Sequence, residues 1–592
     1  MKYYYQMFNY FFFMLLTAAS ITAAGAQVSI LPADSLAFTA NTKSAPKATF
    51  RQVIVNNQPF KSAYHIDTGN EAGLERFTLS YPIDEAVREG DVLLLSLYSR
   101  SLQSKKETGE SFIELSLDRT IAGKYEWPPL LERGISFGSE WLQTQIPFVA
   151  SKNVPRGTLS LVIKCGGFPQ EFELADVSLI NYQQTKKRSD LPRSIVHYDG
   201  DAPDAPWRKA AEARIEKFRK GDLKITILDS NGRPIPDALV SVNLKKIAFG
   251  WGTATNSKLI LDTLNPETKQ YRDTLLRYFN KVVFENEMKS KYWATSNHEQ
   301  TKKVVAWLTA HEIPARGHVM VWPSWQHSPN LVRFKEDTDA LDAGILDLIQ
   351  DQTNVMKKQF VEWDVVNEPF AHHDITDALG GRKKLVNWFL AARENTPGVK
   401  LFLNEYTMFH SEGRGSEDFY DNLNYLITNH APIDGIGEQA HIGGTPPGIE
   451  FIIKKLDRFG MFGLPIQITE FDITSDDDDF KARYMHDFMT AIFSHPATIG
   501  FMQWGFWEKA HWIPAAALWD RDWHIRPQGE VFKHLVSEAW TTHVNGVTDN
   551  NGQYMVRAFS GEYEITVRKG NRHLIQHTNL TSKGETLSIK LE

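Results

Sequence analysis

Hydrophobic and polar positions divide the chain into regions of different periodicity. Residues 30–185 hold short runs in which apolar and polar residues alternate, which is typical of strands with one buried face. Between about 247 and 540, apolar strand-like runs alternate with stretches of helical spacing. This order predicts parallel strands, and eight such repeats would close a barrel. The alternating pattern returns after residue 541, and a chain of 592 residues is long enough for several domains.

These patterns predict a set of domains. Residues 30–185 are predicted to form a jelly-roll-like β-sandwich, and 186–221 a linker and a surface helix. Residues 222–246 contain two alternating runs around an Asp-Ser-Asn-Gly turn and are predicted to pair as a β-hairpin. The hairpin and the β-rich segment 541–592 are expected to form one small accessory β-domain, the alternative being two separate appendages. The fold class is therefore α/β, with a (β/α)₈ barrel over 247–540.

The N-terminus predicts export. Lys2 precedes an apolar run that ends in small residues, so residues 1–26 read as a signal peptide cleaved after Ala26, giving a secreted or periplasmic protein. Cys165 is the only cysteine, which excludes an internal disulfide. The net charge of −7, without a basic run, argues against a nucleic-acid partner. No other apolar stretch predicts a membrane span.

Two predicted strands end on a glutamate. One strand is predicted from the aromatic Trp363 and the β-branched Val365 and Val366. It leads to Glu368, and the following Pro369 stops it. The apolar run Pro465–Thr469 leads in the same way to Glu470. Catalytic residues of (β/α)₈ barrels lie at such strand ends, and two carboxyls are what glycoside hydrolysis requires. For either glutamate alone, an ion pair at a strand end is the alternative.

The segments WDVVNEP (Trp363–Pro369) and ITEFD (Ile468–Asp472) resemble glycoside hydrolase family 10, the endo-β-1,4-xylanase family. The resemblance covers about residues 222–592, and plant-type members carry similar β segments on both sides of the barrel. It implies a retaining endo-1,4-β-xylanase with Glu368 as general acid/base and Glu470 as nucleophile. It also implies xylan as the polysaccharide partner, with no cofactor and no metal. A monomer is expected.

A mechanism that retains the anomeric configuration predicts that the two carboxyl groups lie about 5–5.5 Å apart. The acid/base must keep a proton near neutral pH, so burial and a neighbouring carboxylate are expected to raise the pKa of Glu368.

The resemblance also assigns supporting residues. His441 is expected to bond the nucleophile, Asp472 to hold this histidine, and Asn367 to bond the sugar 2-hydroxyl. Polar side chains and flat indole faces suit a sugar, although a solvated loop or a core tryptophan is the ordinary alternative. The residues expected to bind the sugar are Glu285, Asn286, Lys289, His318, Trp322, Gln439, Trp504 and Trp512.

Two positions depart from the family pattern. Pro323 stands where a histidine usually follows the tryptophan, and Glu405 stands where an aspartate is usual and is expected to have a supporting role. The first departure leaves the substrate open. The alternatives are hydrolysis of another β-glycan or of decorated xylan by the same mechanism, and a non-catalytic polysaccharide-binding protein.

Two further features stay open at the level of sequence. The β-sandwich resembles the jelly-roll carbohydrate-binding modules that often precede these hydrolases, and Tyr125, Trp127 and Trp141 are either a sugar platform or packing aromatics. The acidic run Asp476–Asp479 is expected to be solvated rather than to bind calcium, which needs several spaced oxygen ligands.

Overall fold

The computed structural model describes residues 28–31, 38–41, 45, 47–69, 77–104, 111–126, 129–165, 169–195, 198–356, 359–409, 414–443, 446–475 and 477–592. The predicted signal peptide, Trp127 and Asp476 lie outside these residues. The chain divides into two compact units, Met1–Ile195 and Val196–Glu592. No helix in the described ranges is long and apolar enough to cross a bilayer.

The N-terminal unit is a β-sandwich, as predicted. Its strands are β1 (Val28–Leu31), β2 (Thr39–Asn41), β3 (Thr49–Ile54), β4 (Ser62–Asp67), β5 (Thr78–Ile83), β6 (Val92–Ser104), β7 (Ser111–Ile121), β8 (Lys124–Tyr125), β9 (Glu132–Phe137), β10 (Leu142–Val149), β11 (Leu159–Lys164) and β12 (Gln170–Asn181). One sheet has the order β10-β6-β12-β4-β3 with β1 beside β12, and the other β2-β5-β11-β7-β8 with β9 beside β7. Alternate residues such as Leu159, Leu161 and Ile163 fill the space between the sheets.

Aromatic residues of this unit differ in exposure. Trp141 packs edge-on against Phe60 at 4.8 Å between ring centroids, and Arg100 lies 4.9 Å from its ring centroid. Tyr125 is about half exposed, at 51%. Trp141 is therefore a packing residue, and a sugar-binding role for the unit stays a prediction.

The C-terminal unit carries the remaining elements. Its strands are β13 (Lys220–Leu228), β14 (Leu239–Ile247), β15 (Gly250–Thr255), β16 (Lys281–Phe284), β17 (Ala315–Gly317), β18 (Glu362–Asn367), β19 (Lys400–Glu405), β20 (Gly435–Glu438), β21 (His441–Ile442), β22 (Ile466–Ile473), β23 (Thr498–Gln503), β24 (His543–Val547), β25 (Gln553–Phe559), β26 (Gly561–Lys569), β27 (Arg572–Leu580) and β28 (Glu585–Lys590). Its α-helices are α1 (Pro206–Phe218), α2 (Ser257–Leu261), α3 (Pro266–Tyr278), α4 (Ser290–Trp293), α5 (His298–Ala310), α6 (Thr338–Met356), α7 (Asp374–Ala378), α8 (Lys383–Asn395), α9 (Arg414–Thr428), α10 (Ile449–Gly460), α11 (Asp478–Ser494) and α12 (Pro527–His534).

Eight parallel strands close into a barrel in the order β15-β16-β17-β18-β19-β20-β22-β23, and β23 pairs again with β15. Apolar runs without alternation form these strands, because the barrel interior covers one face and helices cover the other. The short β21 lies beside the end of β22, where His441 is opposite Asp472. The predicted (β/α)₈ fold is confirmed.

The accessory β-domain is present, but the predicted 222–246 hairpin is wrong. β13 lies between β25 and β28 in a three-stranded sheet, whereas β14 lies between β24 and β26 in a four-stranded sheet that ends in β27. Both strands bury alternate apolar residues, including Ile225 and Val242. Each strand also has two backbone edges to pair, and strands of the C-terminal segment hydrogen-bond to both edges of β13 and of β14.

Candidate active site

The two glutamates singled out by the sequence lie at the carboxyl end of the barrel. Glu368 directly follows β18, and Glu470 lies in the second half of β22. Both are buried, with 9% and 5% of their surface exposed. Glu368 has a φ of 51°, a left-handed conformation that is uncommon outside glycine and is typical of functional sites.

Asn404 connects the two carboxyl groups. Its Nδ2 donates to Glu470 Oε1 at 2.8 Å and to Asn367 Oδ1 at 2.8 Å, and Asn367 Nδ2 donates to Glu368 Oε1 at 3.1 Å. Gly437 makes room for this side chain, because a Cβ at that position would lie 2.3 Å from Asn404 Oδ1. The amide network therefore fixes both carboxyl groups relative to each other.

Glu470 has a histidine on either side. His441 Nε2 lies 3.7 Å from Glu470 Oε2, and His318 Nε2 lies 3.8 Å from Glu470 Oε1. On its other nitrogen, His441 lies 3.1 Å from Asp472 Oδ1. Burial alone would lower the pKa of His441, but the carboxylates of Asp472 and Glu470 raise it to about 10. The imidazole is therefore a cation at neutral pH, and it places this charge 3.7 Å from a carboxyl oxygen of Glu470.

Trp512 completes this side of the site. Its Nε1 donates to Asp472 Oδ2 at 2.8 Å, and its ring meets His441 edge-on at 5.2 Å between centroids. Trp512 is nevertheless 57% exposed to solvent. An exposed indole that is held in place by a hydrogen bond provides a flat apolar surface at low entropic cost.

A buried ion-pair network continues from His318 into the barrel. His318 Nδ1 lies 2.9 Å from Asp364 Oδ2, and Asp364 in turn pairs with Arg316. Arg316 Nη1 also donates to Glu362 Oε1 at 2.8 Å. The network connects the barrel interior to the histidine beside Glu470.

The neighbours of Glu368 contradict the predicted pKa direction. Gln439 Nε2 donates to Glu368 Oε1 at 2.7 Å, and His372 Nε2 lies 3.2 Å from Oε2. Burial alone would raise the pKa of Glu368, but hydrogen bonds from His372 and Gln439, with positive charge from His372 and His318, hold it below its ordinary value. The prediction was wrong because it did not include these two donors, which stabilise the carboxylate. Gln439 comes from the end of a distant strand, and His372 from the turn after Glu368.

The remaining predicted sugar-binding residues contact one another beside Glu470. Lys289 Nζ lies 5.5 Å from the ring centroid of Trp322 and 5.8 Å from that of Trp504, and donates to Asn286 Oδ1 at 3.4 Å. Burial raises the pKa of Glu285, and Lys289 offsets part of this shift. The Lys289 ammonium thus lies near two indole rings, of which Trp504 is buried, and the roles of these residues toward a sugar stay predictions.

Glu405 lies behind the acid/base segment. Its Oε2 accepts a hydrogen bond from the backbone N–H of Phe370 at 3.1 Å, two residues after Glu368. The neighbouring buried Glu438 accepts from the N–H groups of Met408 and Ala440 at 3.1 and 3.3 Å. The contact with Phe370 is consistent with the supporting role expected for Glu405.

Two residues of the site were missed in the sequence. Asn404 comes directly before Glu405 on β19, and its side chain points into the barrel. The alternation of side chains along the strand is the signal that would have indicated this direction. His372 follows Glu368 by four residues, a separation that a single local turn can close. No group of three or more His, Cys, Asp or Glu side chains in the described ranges is arranged to hold a metal ion.

Comparison with known proteins identifies the barrel segment. The sequence model of glycosyl hydrolase family 10 matches residues 242–534. Anti-sigma-I factor RsgI6 of Acetivibrio thermocellus is 29% identical over 388 residues, which cover 64% of this chain and 49% of that protein. Endo-1,4-beta-xylanase 1 of Arabidopsis thaliana is 29% identical over 366 residues, which cover 61% of this chain and 38% of that protein. The chain thus spans about half or less of the length of these two relatives.

Solved structures of low identity are also similar. Xylanase 10B from Thermotoga petrophila RKU-1, solved with xylobiose, is 23% identical with a TM-score of 0.45. The match covers 49% of this chain and 95% of the xylanase chain. The CBM22-1–GH10 modules of Clostridium thermocellum Xyn10B, solved with xylohexaose, are 15% identical with a TM-score of 0.41, covering 87% of this chain and 98% of their own.

Proposed function

We propose that this chain, which belongs to glycosyl hydrolase family 10 through residues 242–534, is a retaining endo-1,4-β-xylanase. The observation that carries the proposal is the pair Glu368 and Glu470 at the carboxyl end of the barrel, joined through Asn367 and Asn404. Two carboxyls held in one network suit the two roles that glycoside hydrolysis requires. The predicted signal peptide, residues 1–26, supports the further proposal that the protein acts outside the cytoplasm.

In the proposed mechanism, Glu470 attacks the anomeric carbon while Glu368 gives a proton to the leaving oxygen. The bond from the anomeric carbon to the leaving sugar breaks, and a covalent glycosyl-enzyme forms on Glu470. Glu368, now ionised, takes a proton from water as the water oxygen attacks the same carbon, and Glu470 leaves as a carboxylate. The cationic His441 supports the ionised Glu470 at the start and the end of the cycle.

The substrate and the stereochemistry can be tested together. We expect the full chain to release reducing ends from xylan, with products of several sugar units, and to release far fewer from cellulose and mixed-linkage β-glucan. Proton NMR of the first products should show the β-anomer before mutarotation, because two inversions restore the configuration.

Three results would contradict this proposal in different ways. An initial α-anomer would exclude the retaining mechanism. Preference for another β-glycan would leave the proposed mechanism intact but change the assigned substrate. Pro323 would then be the first position to examine. Binding to xylan without hydrolysis would favour a non-catalytic binding protein.

Replacing Trp512 tests the exposed indole as a sugar surface. Trp512→Ala removes both the ring and the hydrogen bond to Asp472, and we expect KM for xylo-oligosaccharides to rise about 5- to 10-fold, the worth of one aromatic contact. Trp512→Phe keeps a ring but loses the N–H donor, so its KM should stay closer to that of the wild type. If both variants lower kcat and leave KM unchanged, Trp512 acts through Asp472 instead.

A further inference from the structure

We propose that His372 is a positioning residue that stabilises the ionised form of Glu368 and thereby sets the alkaline limit of the acid-catalysed step. This inference rests on the proposed function. Its basis is the 3.2 Å contact between His372 Nε2 and Glu368 Oε2. Glu368 Oε1 already accepts from Gln439 and Asn367, so Oε2 is the oxygen that can exchange a proton with a substrate.

The backbone presents His372 to Glu368. The His372 N–H donates to the Glu368 carbonyl at 3.0 Å, which closes a five-residue turn that starts at the left-handed Glu368 and brings the two side chains within contact distance. The next turn is held by the Ile375 N–H, which donates to the Pro323 carbonyl at 3.2 Å. The segment after the acid/base is therefore tied to the loop in which Pro323 replaces the usual family histidine.

Two aromatic rings pack against His372. His327 stacks on Trp322 with ring centroids 3.7 Å apart and an angle of 6°, and meets His372 edge-on at 4.6 Å. Burial lowers the pKa of His327, and His372 adds to the shift, so His327 stays neutral at neutral pH. Trp322 itself lies edge-on to His372 at 5.8 Å. The stack thus packs against the His372 ring, whose Nε2 faces the carboxyl group of Glu368.

Other charged groups act on the same site. Lys289 and Lys291, which lie after β16, act electrostatically on His327, and His318, which follows β17, acts on Glu368. None of these is placed in contact with Glu368 Oε2, where His372 lies at hydrogen-bonding distance. His372 is thus the cationic or donor group best placed to stabilise the charge that Oε2 carries after it has given up its proton.

The chemistry gives the sign of the effect. Glu368 acts as an acid only while protonated, so the acid-catalysed step is fully active below the pKa of Glu368 and is lost above it. A donor to the carboxylate lowers that pKa, and removing the donor raises it. The acid form then persists to higher pH.

The test is the pH dependence of kcat/KM of the full chain on an unactivated xylo-oligosaccharide. His372→Phe keeps a ring against His327 and Trp322 but has no donor, and we expect the alkaline limb to move up by about 1 pH unit. His373→Ala is the control, because the neighbouring His373 is exposed and pairs with Asp377 instead. An aryl xyloside with a strongly acidic phenol leaving group needs no proton, and its alkaline limb should be the same in all three proteins.

The outcomes separate the inference from the proposed function. An alkaline limb of His372→Phe within about 0.2 units of the wild type, or an equal shift in His373→Ala, would overturn the inference. If far-UV circular dichroism shows that His372→Phe does not fold, His372→Ala replaces it, and the same upward shift of the alkaline limb is expected. A wild type without activity on any β-glycan would instead reject the proposed function.

Discussion

Replacing Glu470 by alanine is expected to reduce the release of reducing sugar from xylan by about 10⁴-fold or more, the scale of losses when a nucleophile is removed. Glu470 accepts from Asn404 and lies between His318 and His441, so no other carboxylate can take its place without rebuilding these contacts. The measurement is the initial rate of xylan hydrolysis by the full chain at the pH optimum of the wild type.

A small external nucleophile gives a sharper test of the same role. In Glu470→Ala, azide can occupy the vacated space and attack an activated aryl xyloside once, which should give the α-xylosyl azide. Glu450→Ala is the control, since this glutamate is exposed in the first turn of α10, and it should retain wild-type rates. A Glu470→Ala enzyme that keeps more than about a tenth of the activity would reject the assignment of the nucleophile.

The sequence predicted those parts of the site that depend on local patterns. Glu368 and Glu470 were found because each ends an apolar strand, and a barrel brings such ends together whatever their separation along the chain. The pairing of His441 with Asp472 followed from the family resemblance, and the structure places the two 3.1 Å apart. The catalytic roles themselves stay predictions.

The parts that failed depend on contacts between distant segments. The turn after β13 is formed, since the Ile235 N–H donates to the Ile227 carbonyl, but β14 leaves that path and pairs with β24 and β26. A local pattern cannot reveal a competing partner some 300 residues away. The pKa of Glu368 was predicted in the wrong direction for the same reason, because Gln439 reaches it from another strand and His372 from a turn that no pattern marked.

Replacing Arg316 by methionine is expected to lower the free energy of unfolding of the C-terminal unit by about 3–5 kcal/mol, the cost of leaving a buried charge without its partner. Arg316 is fully buried, and its guanidinium contacts Glu362 and Asp364. Burial alone would lower the pKa of Arg316, but these two carboxylates raise it. Methionine fills similar volume and leaves both carboxylates without this cation.

Tryptophan fluorescence in urea can follow this change in the full chain. All tryptophans except Trp127 and Trp141 lie beyond residue 195, so the signal reports mainly on the C-terminal unit. Arg458→Met is the matched control, because Arg458 pairs with Glu417 at the surface, where such a pair is worth at most about 1 kcal/mol. Equal losses in the two variants would mean that the buried network contributes no more than a surface pair.

The pH dependence of the same experiment identifies the charge responsible. Burial alone would raise the pKa of Glu362, but Lys281 and Arg316 lower it to about 2, so its ionised form stabilises the fold above its ordinary pKa of 4.5. This contribution is lost as the pH falls toward 2. In Arg316→Met, Glu362 keeps Lys281 at 3.0 Å but takes up a proton at a higher pH. The stability difference from the wild type should therefore be largest above pH 4.5 and shrink below it, whereas a pure packing defect would give a difference that does not change with pH.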